Sequence, residues 1–389
     1  MSAALARSGA LPPARYRMGV EREALRCDAC GHLALTPHPA VWGDRSQQPY
    51  FRVDFSESQL ELVTPPLPSA RDCHEFLAIL TDIARRRIAP ELLWPQSLPC
   101  LLPPEEQIPI ADFSRTADPE ETMWRRYLAE RYSARRQVIC GVHVNFSFEP
   151  SWLAAIGLER NAAYLKVVRN YLRCRWLAVF LLGASPAPEA LVSLRNSSLG
   201  YGNRALLPLD YTDFSRYLAS AKSLIQARVI ADIWEIYAPI RVKTARGKTW
   251  DELAKGGIDY VEVRTPDVNP FDACGVALGD LEWLAALLFF CLLEEEDAVA
   301  ELEADAERVA VEGLPAAYRA QAFELLERLE RLNAALRLGL ERGLCSARSR
   351  LEEERLSYAF RMREALAEHG HPGAGLLWAC ALREKSSSL

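Results

Sequence analysis

The sequence predicts an α+β fold. Two patterns carry that expectation: short runs of alternating apolar and polar residues recur between Arg17 and Thr265, and the last third is apolar at helical spacing almost throughout. A β-like run at residues 17–25 and another at 51–64 precede a helix near 73–88, with the proline-bounded segments 37–49 and 95–109 read as turns. Residues 120–136 carry a helical pattern, 138–148 a strand, 161–182 a long buried helix, and 213–236 a further helix. A last strand at 259–265 precedes the helical third, where Leu325, Leu329, Leu332, Leu336 and Leu340 recur among Glu and Arg residues. That stripe is read as a packing face, because it does not persist for the run of heptads that a coiled coil needs.

The chain has 389 residues, 50% hydrophobic and 25% charged, a globular composition long enough to bury a full core. A net charge of −6 with no basic cluster excludes a generic nucleic-acid binder. Met1 to Ala10 lacks the apolar run of a secretory signal, and the longest uncharged apolar run, Trp283 to Leu293, is too short to span a bilayer. Ten cysteines at irregular intervals from Cys27 to Cys380 read as reduced thiols, which places the chain in the cytoplasm, away from membranes. Cys27, Cys30, His32 and His38 have zinc-like spacing. Without a second cysteine pair they read as a surface turn with two reduced thiols.

Strand side chains alternate between faces, so each alternating run has a polar face that can be read off directly. In Gly141-Val142-His143-Val144-Asn145-Phe146-Ser147, His143, Asn145 and Ser147 oppose three apolar residues, and in Tyr260–Arg264, Glu262 and Arg264 oppose Val261 and Val263. Glu21 and Glu23 share one face of the first strand; Gln59 and Glu61 oppose Leu60 and Leu62, with Asp54 and Glu57 just before them. These faces either lie in water, as polar faces of antiparallel strands usually do, or converge. If they converge, many carboxylates with one imidazole make a hard-cation site that suits Mg²⁺ or Mn²⁺ shared with substrate phosphates. No glycine-rich phosphate loop competes: Gly247-Lys248-Thr249 resembles the end of one, but Val242 stands where its earlier glycine belongs. A bound nucleotide would then be held mainly through metal ions and scattered arginines, with its contact residues unassigned.

An ordered series points to a family. Gly19–Glu23, Asp54–Glu61, Trp94–Cys100, Gly141–Ser147, Val168–Tyr171, Gly183–Pro186, Leu194–Arg195, Leu199–Tyr201, Tyr237–Arg241, Tyr260–Arg264 and Asp267–Phe271 together closely resemble the proteobacterial type of glutamate–cysteine ligase. The match spans about residues 17–276, with a helical echo to the end. The resemblance implies a carboxylate-amine ligase fold like that of glutamine synthetase, with a curved, mainly antiparallel sheet forming a funnel and helices outside it. It implies a single catalytic domain over residues 1–389, with 15–276 the sheet-forming core and 277–389 the helical part, acting as a monomer.

The implied reaction is ATP- and Mg²⁺-dependent ligation of L-cysteine to the γ-carboxylate of L-glutamate through a γ-glutamyl phosphate, the first step towards glutathione. Mn²⁺ is an acceptable substitute for Mg²⁺. By resemblance Glu21, Glu23, Asp54, Glu61, His143 and Glu262 are the metal ligands. Arg125, Arg195 and Arg264 are the catalytic cations that hold the substrate carboxylate and the transferring phosphoryl group, while Phe55, Trp124, Gln137, Tyr201 and Tyr237 line the acceptor pocket. Trp124 stands where better-known members have a tyrosine, the segment between Pro186 and Arg195 is short, and after Glu312-Gly313 the expected basic loop is replaced by Leu314-Pro315. These departures leave room for an alternative, a γ-glutamyl ligase that uses another amine in specialised metabolism.

Overall fold

In the computed structural model, which describes residues 13–203, 207–294 and 302–387, a long strand β1 (Tyr16–Cys27) is central to an antiparallel sheet. The other strands are β2 (Phe51–Val53), β3 (Gln59–Val63), β4 (Leu92–Leu93), β5 (Val142–Phe148), β6 (Ile240–Lys243) and β7 (Tyr260–Val263). They lie in the order β2-β3-β1-β5-β7-β6, and β4 pairs with the end of β1, so the sheet is open at both edges. On one face Val20, Leu62, Val144, Phe146 and Val263 are buried, and the helices cover that side. The opposite face carries the polar partners of the same alternation.

The core is organised by the helix Leu278–Leu293, which is apolar apart from Asp280 and Glu282 in its first turns and buried from Gly279 to Leu293. It packs among the helices Ala70–Arg87, Arg160–Leu182, Ala316–Leu336 and Glu341–Glu352. Its Phe289 meets Tyr16, Phe148 and Trp152 edge-on at 5.8, 5.3 and 5.4 Å between ring centres, joining the helical layer to the back of the sheet. The longest apolar run of the sequence is therefore core, and no described helix is long and apolar enough to cross a membrane.

Several elements differ from the sequence reading. Residues 51–64 form two strands, because Ser56, Glu57 and Ser58 are drawn inward: Ser56 donates to the Pro109 carbonyl at 2.7 Å, and Glu57 accepts from the backbone of His38 and Asp112 at 2.6 and 2.8 Å. Glu57, paired with Arg45, is a structural acid of this turn. The helix expected at 120–136 stops at Tyr132, where Ser133 takes φ 79°, and the strand expected at 138–148 begins only at Val142. The helix expected at 213–236 ends at Gln226, and Arg228 is left-handed at φ 56°.

In the leucine stripe Leu325, Leu329 and Leu336 are buried against the core, but the helix ends at Leu336 on a left-handed Arg337, and Leu340 belongs to the start of the next helix. All ten cysteines are free. Cys30 is exposed as a turn residue should be, whereas Cys27 is buried at the end of β1 and its thiol is pushed up to about 12 by that burial.

One buried polar network ties the helices together. Asp280 accepts from Arg350 at 2.7 Å and from the Tyr358 hydroxyl at 2.8 Å, while Arg350 also donates to the Leu181 carbonyl at 2.7 Å. Removing one member strands a buried charge. Asp280→Ala should therefore lower unfolding stability by about 3–5 kcal/mol, read from the denaturant midpoint. A shift of the size seen for surface substitutions would show the network to be dispensable.

Candidate active site

The sheet registers decide which polar groups meet. Glu21 pairs with His143, Glu23 with Glu61, Asn145 with Glu262, Arg241 with Glu262 and Arg52 with Glu61, so the polar residues of six strands share one face. That face lines a cavity of about 740 Å³, into which Asp54, Phe55, Trp124, Arg125, Gln137, Tyr201, Tyr237 and Arg264 also reach. The polar faces converge on one hollow.

At its centre Glu21, His143 and Glu262 bring ligand atoms within 4.8 Å of one another. The Nδ1 atom of His143 is 3.6 Å from both Glu21 and Glu262, and its Nε2 is 3.5 Å from Glu23. Burial, with the Arg264 charge behind it, pushes His143 down to about 4, so the ring is neutral and carries a lone pair to offer. Burial alone would raise Glu262. The charges of Arg241, Lys243 and Arg264 outweigh it and hold this carboxylate well below the usual range.

The β1–β3 side is different. Burial and then Asp54 push Glu23 up to about 8 against the pull of Arg195 and Arg264; burial raises Asp54, and burial with the charges of Glu21 and Asp54 raises Glu61 well above its ordinary value. These carboxyls crowd together without enough cation among them. An oxygen-rich donor set of this kind, with a single neutral imidazole, fits Mg²⁺ or Mn²⁺ and does not fit a thiolate-preferring metal.

The guanidiniums stand around this cluster. Arg264 donates to Glu262 at 2.7 Å, with His143 Nδ1 at 3.4 Å; Arg125 is braced by the Asp54 carbonyl and by Glu121 at 2.7 Å. Arg195 lies deeper, 5% exposed, behind His143 at 3.4 Å from Nε2 and donating to the Arg264 carbonyl at 2.7 Å. It opens on a second hollow that shares Tyr201, Tyr237 and Arg264 with the first. Gly141 makes this placement possible, since a Cβ there would stand 2.0 Å from an Arg195 nitrogen.

The aromatic wall is continuous. Tyr201 and Tyr237 lie 4.8 Å apart between ring centres, the Tyr201 hydroxyl is 3.5 Å from Gln137, and Trp124 packs on Tyr127 and Trp234 at 5.1 and 4.9 Å. Glu235 fixes this wall from behind: fully buried, it accepts from the hydroxyls of Tyr127 and Tyr132 and pairs with Arg131 at 2.8 Å. Asn203 donates to the Glu235 carbonyl at 2.7 Å and accepts from the Tyr237 backbone at 2.8 Å.

The structure brings the proposed site residues to this one cavity, except Arg195, which stands behind its wall, and adds Arg241, Lys243 and Trp234 to the lining. The alternation of Ile240-Arg241-Val242-Lys243 was the signal available for the two cations.

The glutamate-cysteine ligase family model matches residues 10–192 and 222–311. The glutathione biosynthesis bifunctional protein of Listeria monocytogenes is 38% identical over 310 residues, 72% of this chain and 40% of that protein. The chain thus spans about 40% of the length of such bifunctional relatives. The glutamate–cysteine ligase of Clostridium acetobutylicum is 32% identical over 350 residues, 73% of each chain. Among solved structures, the glutamate–cysteine ligase of Francisella tularensis in complex with AMP superposes with a TM-score of 0.91 at 22% identity, covering 98% of this chain and 91% of that one. It shares the fold.

Crowding of Glu61 with Glu21, Glu23 and Asp54 costs stability whenever no cation separates them. Glu61→Gln should raise the thermal midpoint of the metal-free protein and weaken Mn²⁺ binding at least about tenfold, about 1.4 kcal/mol. A lower midpoint with unchanged Mn²⁺ affinity would make Glu61 a structural acid.

Proposed function

The chain belongs to the glutamate–cysteine ligase family, and on that premise we propose that it ligates L-cysteine to the γ-carboxylate of L-glutamate, converting ATP to ADP and phosphate. The observation that carries this reading is the carboxylate and imidazole cluster around Glu21, His143 and Glu262, faced by guanidiniums and closed by an aromatic wall in one cavity. A γ-carboxylate oxygen of glutamate attacks the γ-phosphorus of ATP, ADP leaves, and a γ-glutamyl phosphate remains. The cysteine amine then attacks its carbonyl carbon, the C–O bond to phosphate breaks, and the amide forms.

In this proposal Glu21, Glu23, Asp54, Glu61, His143 and Glu262 hold Mg²⁺. The metal, when bound, supplies positive charge that lets a carboxylate approach a polyphosphate. Arg264 and Arg195, one behind the other beside His143, stabilise the transferring phosphoryl group, for which a planar guanidinium is suited. Arg125 receives a substrate carboxylate at the rim, where Asp54 and Glu121 fix its plane. Phe55, Gln137, Tyr201, Tyr237 and Trp124 form the acceptor pocket, excluding water from an acyl phosphate that water would hydrolyse. The free thiols support placing this activity in the reducing cytoplasm.

Release of ADP with glutamate and a panel of amines tests the reading: cysteine should be the preferred acceptor, and no ADP release with any amine would refute it. Glu262→Gln should cut product formation at least about a hundredfold with an unchanged circular dichroism spectrum, as expected when charge aimed at a transition state is lost. Arg264→Lys should be impaired comparably, because an ammonium cannot present two parallel donors. Glutamate and ATP alone should support positional isotope exchange in ATP. Neither exchange nor borohydride trapping would point to a concerted route.

A further inference from the structure

On the other face of the sheet, away from the cavity, His74, Asp272 and Cys274 bring one ligand atom each within 4.8 Å of one another. His74 lies on the helix Ala70–Arg87, and Asp272 and Cys274 lie on the turn that follows β7, so the group bridges two elements far apart in sequence. We propose that His74 Nε2, an Asp272 carboxylate oxygen and the Cys274 sulfur form a second metal site, one that takes a borderline divalent cation of the Zn²⁺ type.

Three observations carry it. His74 Nε2 is shielded from solvent and faces Asp272 Oδ1 at 3.5 Å, with which it pairs until an ion takes the proton's place. Donors at zinc distances around a tetrahedron lie about 3.3 Å apart for nitrogen and oxygen, so little movement is needed to admit the ion. The turn is also pre-set: Asp272 Oδ1 accepts from the Cys274 backbone at 2.7 Å, the Asp272 carbonyl from Gly275 at 3.1 Å, and Gly275 takes φ +78°, a left-handed geometry.

Imidazole, carboxylate and thiolate together suit zinc and not the hard cation of the carboxylate cavity. His74 and Asp272 side chains are 20% and 22% exposed, which gives the ion a path in and leaves a fourth position for water. Arg22 and Arg85 flank the group: Arg85 donates to the Ala273 carbonyl at 2.6 Å, and two buried Arg22 nitrogens have no partner. Their positive charge makes the site weaker than a four-ligand structural one.

Co²⁺ added to the full chain with Mg²⁺ in excess, so that the carboxylate cavity is occupied, reads the site by the sulfur-to-cobalt absorption in the near ultraviolet. We expect one equivalent to give that band, Zn²⁺ to abolish it by competition, and Cys274→Ser to remove it. His74→Gln, a substitution at a partly exposed helix position, should weaken Co²⁺ binding at least tenfold and decides the matter if Cys274→Ser does not fold. The band must survive Cys30→Ser, since Cys30 is an exposed thiol. No band in the wild type, or a band of equal strength in His74→Gln, would overturn the proposal and leave His74 and Asp272 as a structural pair.

Discussion

Everything about this molecule follows from holding several carboxylates close together on the inner face of one sheet. Glu21 and Glu23 on the central strand, Glu61 beside them, Glu262 across β5 and Asp54 at the turn are drawn into one cavity by strand register. Like charges at such separations disfavour their own ionisation, and burial adds to the penalty. The sheet tolerates this because its other face is covered by a largely apolar helical layer, in which Leu278–Leu293 and Phe289 join the helices to the strands. A weak core would relax by spreading the strands apart.

The compensation is lopsided, and the lopsidedness is informative. Around Glu262 the protein supplies Arg241, Lys243 and Arg264, and the carboxylate stays ionised. Around Glu23, Asp54 and Glu61 it supplies too little, and their protons are held more tightly. The first half is charged and held by ion pairs, whereas the second lacks positive charge of its own. Under the proposed function a polyphosphate brought with its cations would meet both needs, with metals in the poor half and the guanidiniums of the rich half towards phosphate oxygens.

The aromatic wall has a different logic. Trp124, Trp234, Tyr201 and Tyr237 come from three segments, and Glu235 together with Asn203 ties these segments to one another through hydrogen bonds. A buried acid with this many partners fixes loop geometry at the cost of desolvation. Trp124 packs on Trp234 at 4.9 Å between ring centres, so the wall is held by ring contacts as well as by Glu235.

Much of this was legible without coordinates. The α+β class, the strand faces and the candidate donors Glu21, Glu23, Glu61, His143 and Glu262 follow from period-two alternation, a local property that each strand carries in its own residues. Helix ends were less legible: Ser133 and Arg228 break their helices in left-handed conformations with no glycine or proline to announce it. The neutral state of His143, the ionised state of Glu262 and the depth of Arg195 were decided by tertiary structure alone. The state of His143 depends on burial and on Arg264, brought close by strand pairing from more than a hundred residues away, and that of Glu262 on Arg241 and Lys243 of the neighbouring strand together with Arg264. Electrostatic energy depends on distance through space and on burial, and neither is a property of any one segment of chain.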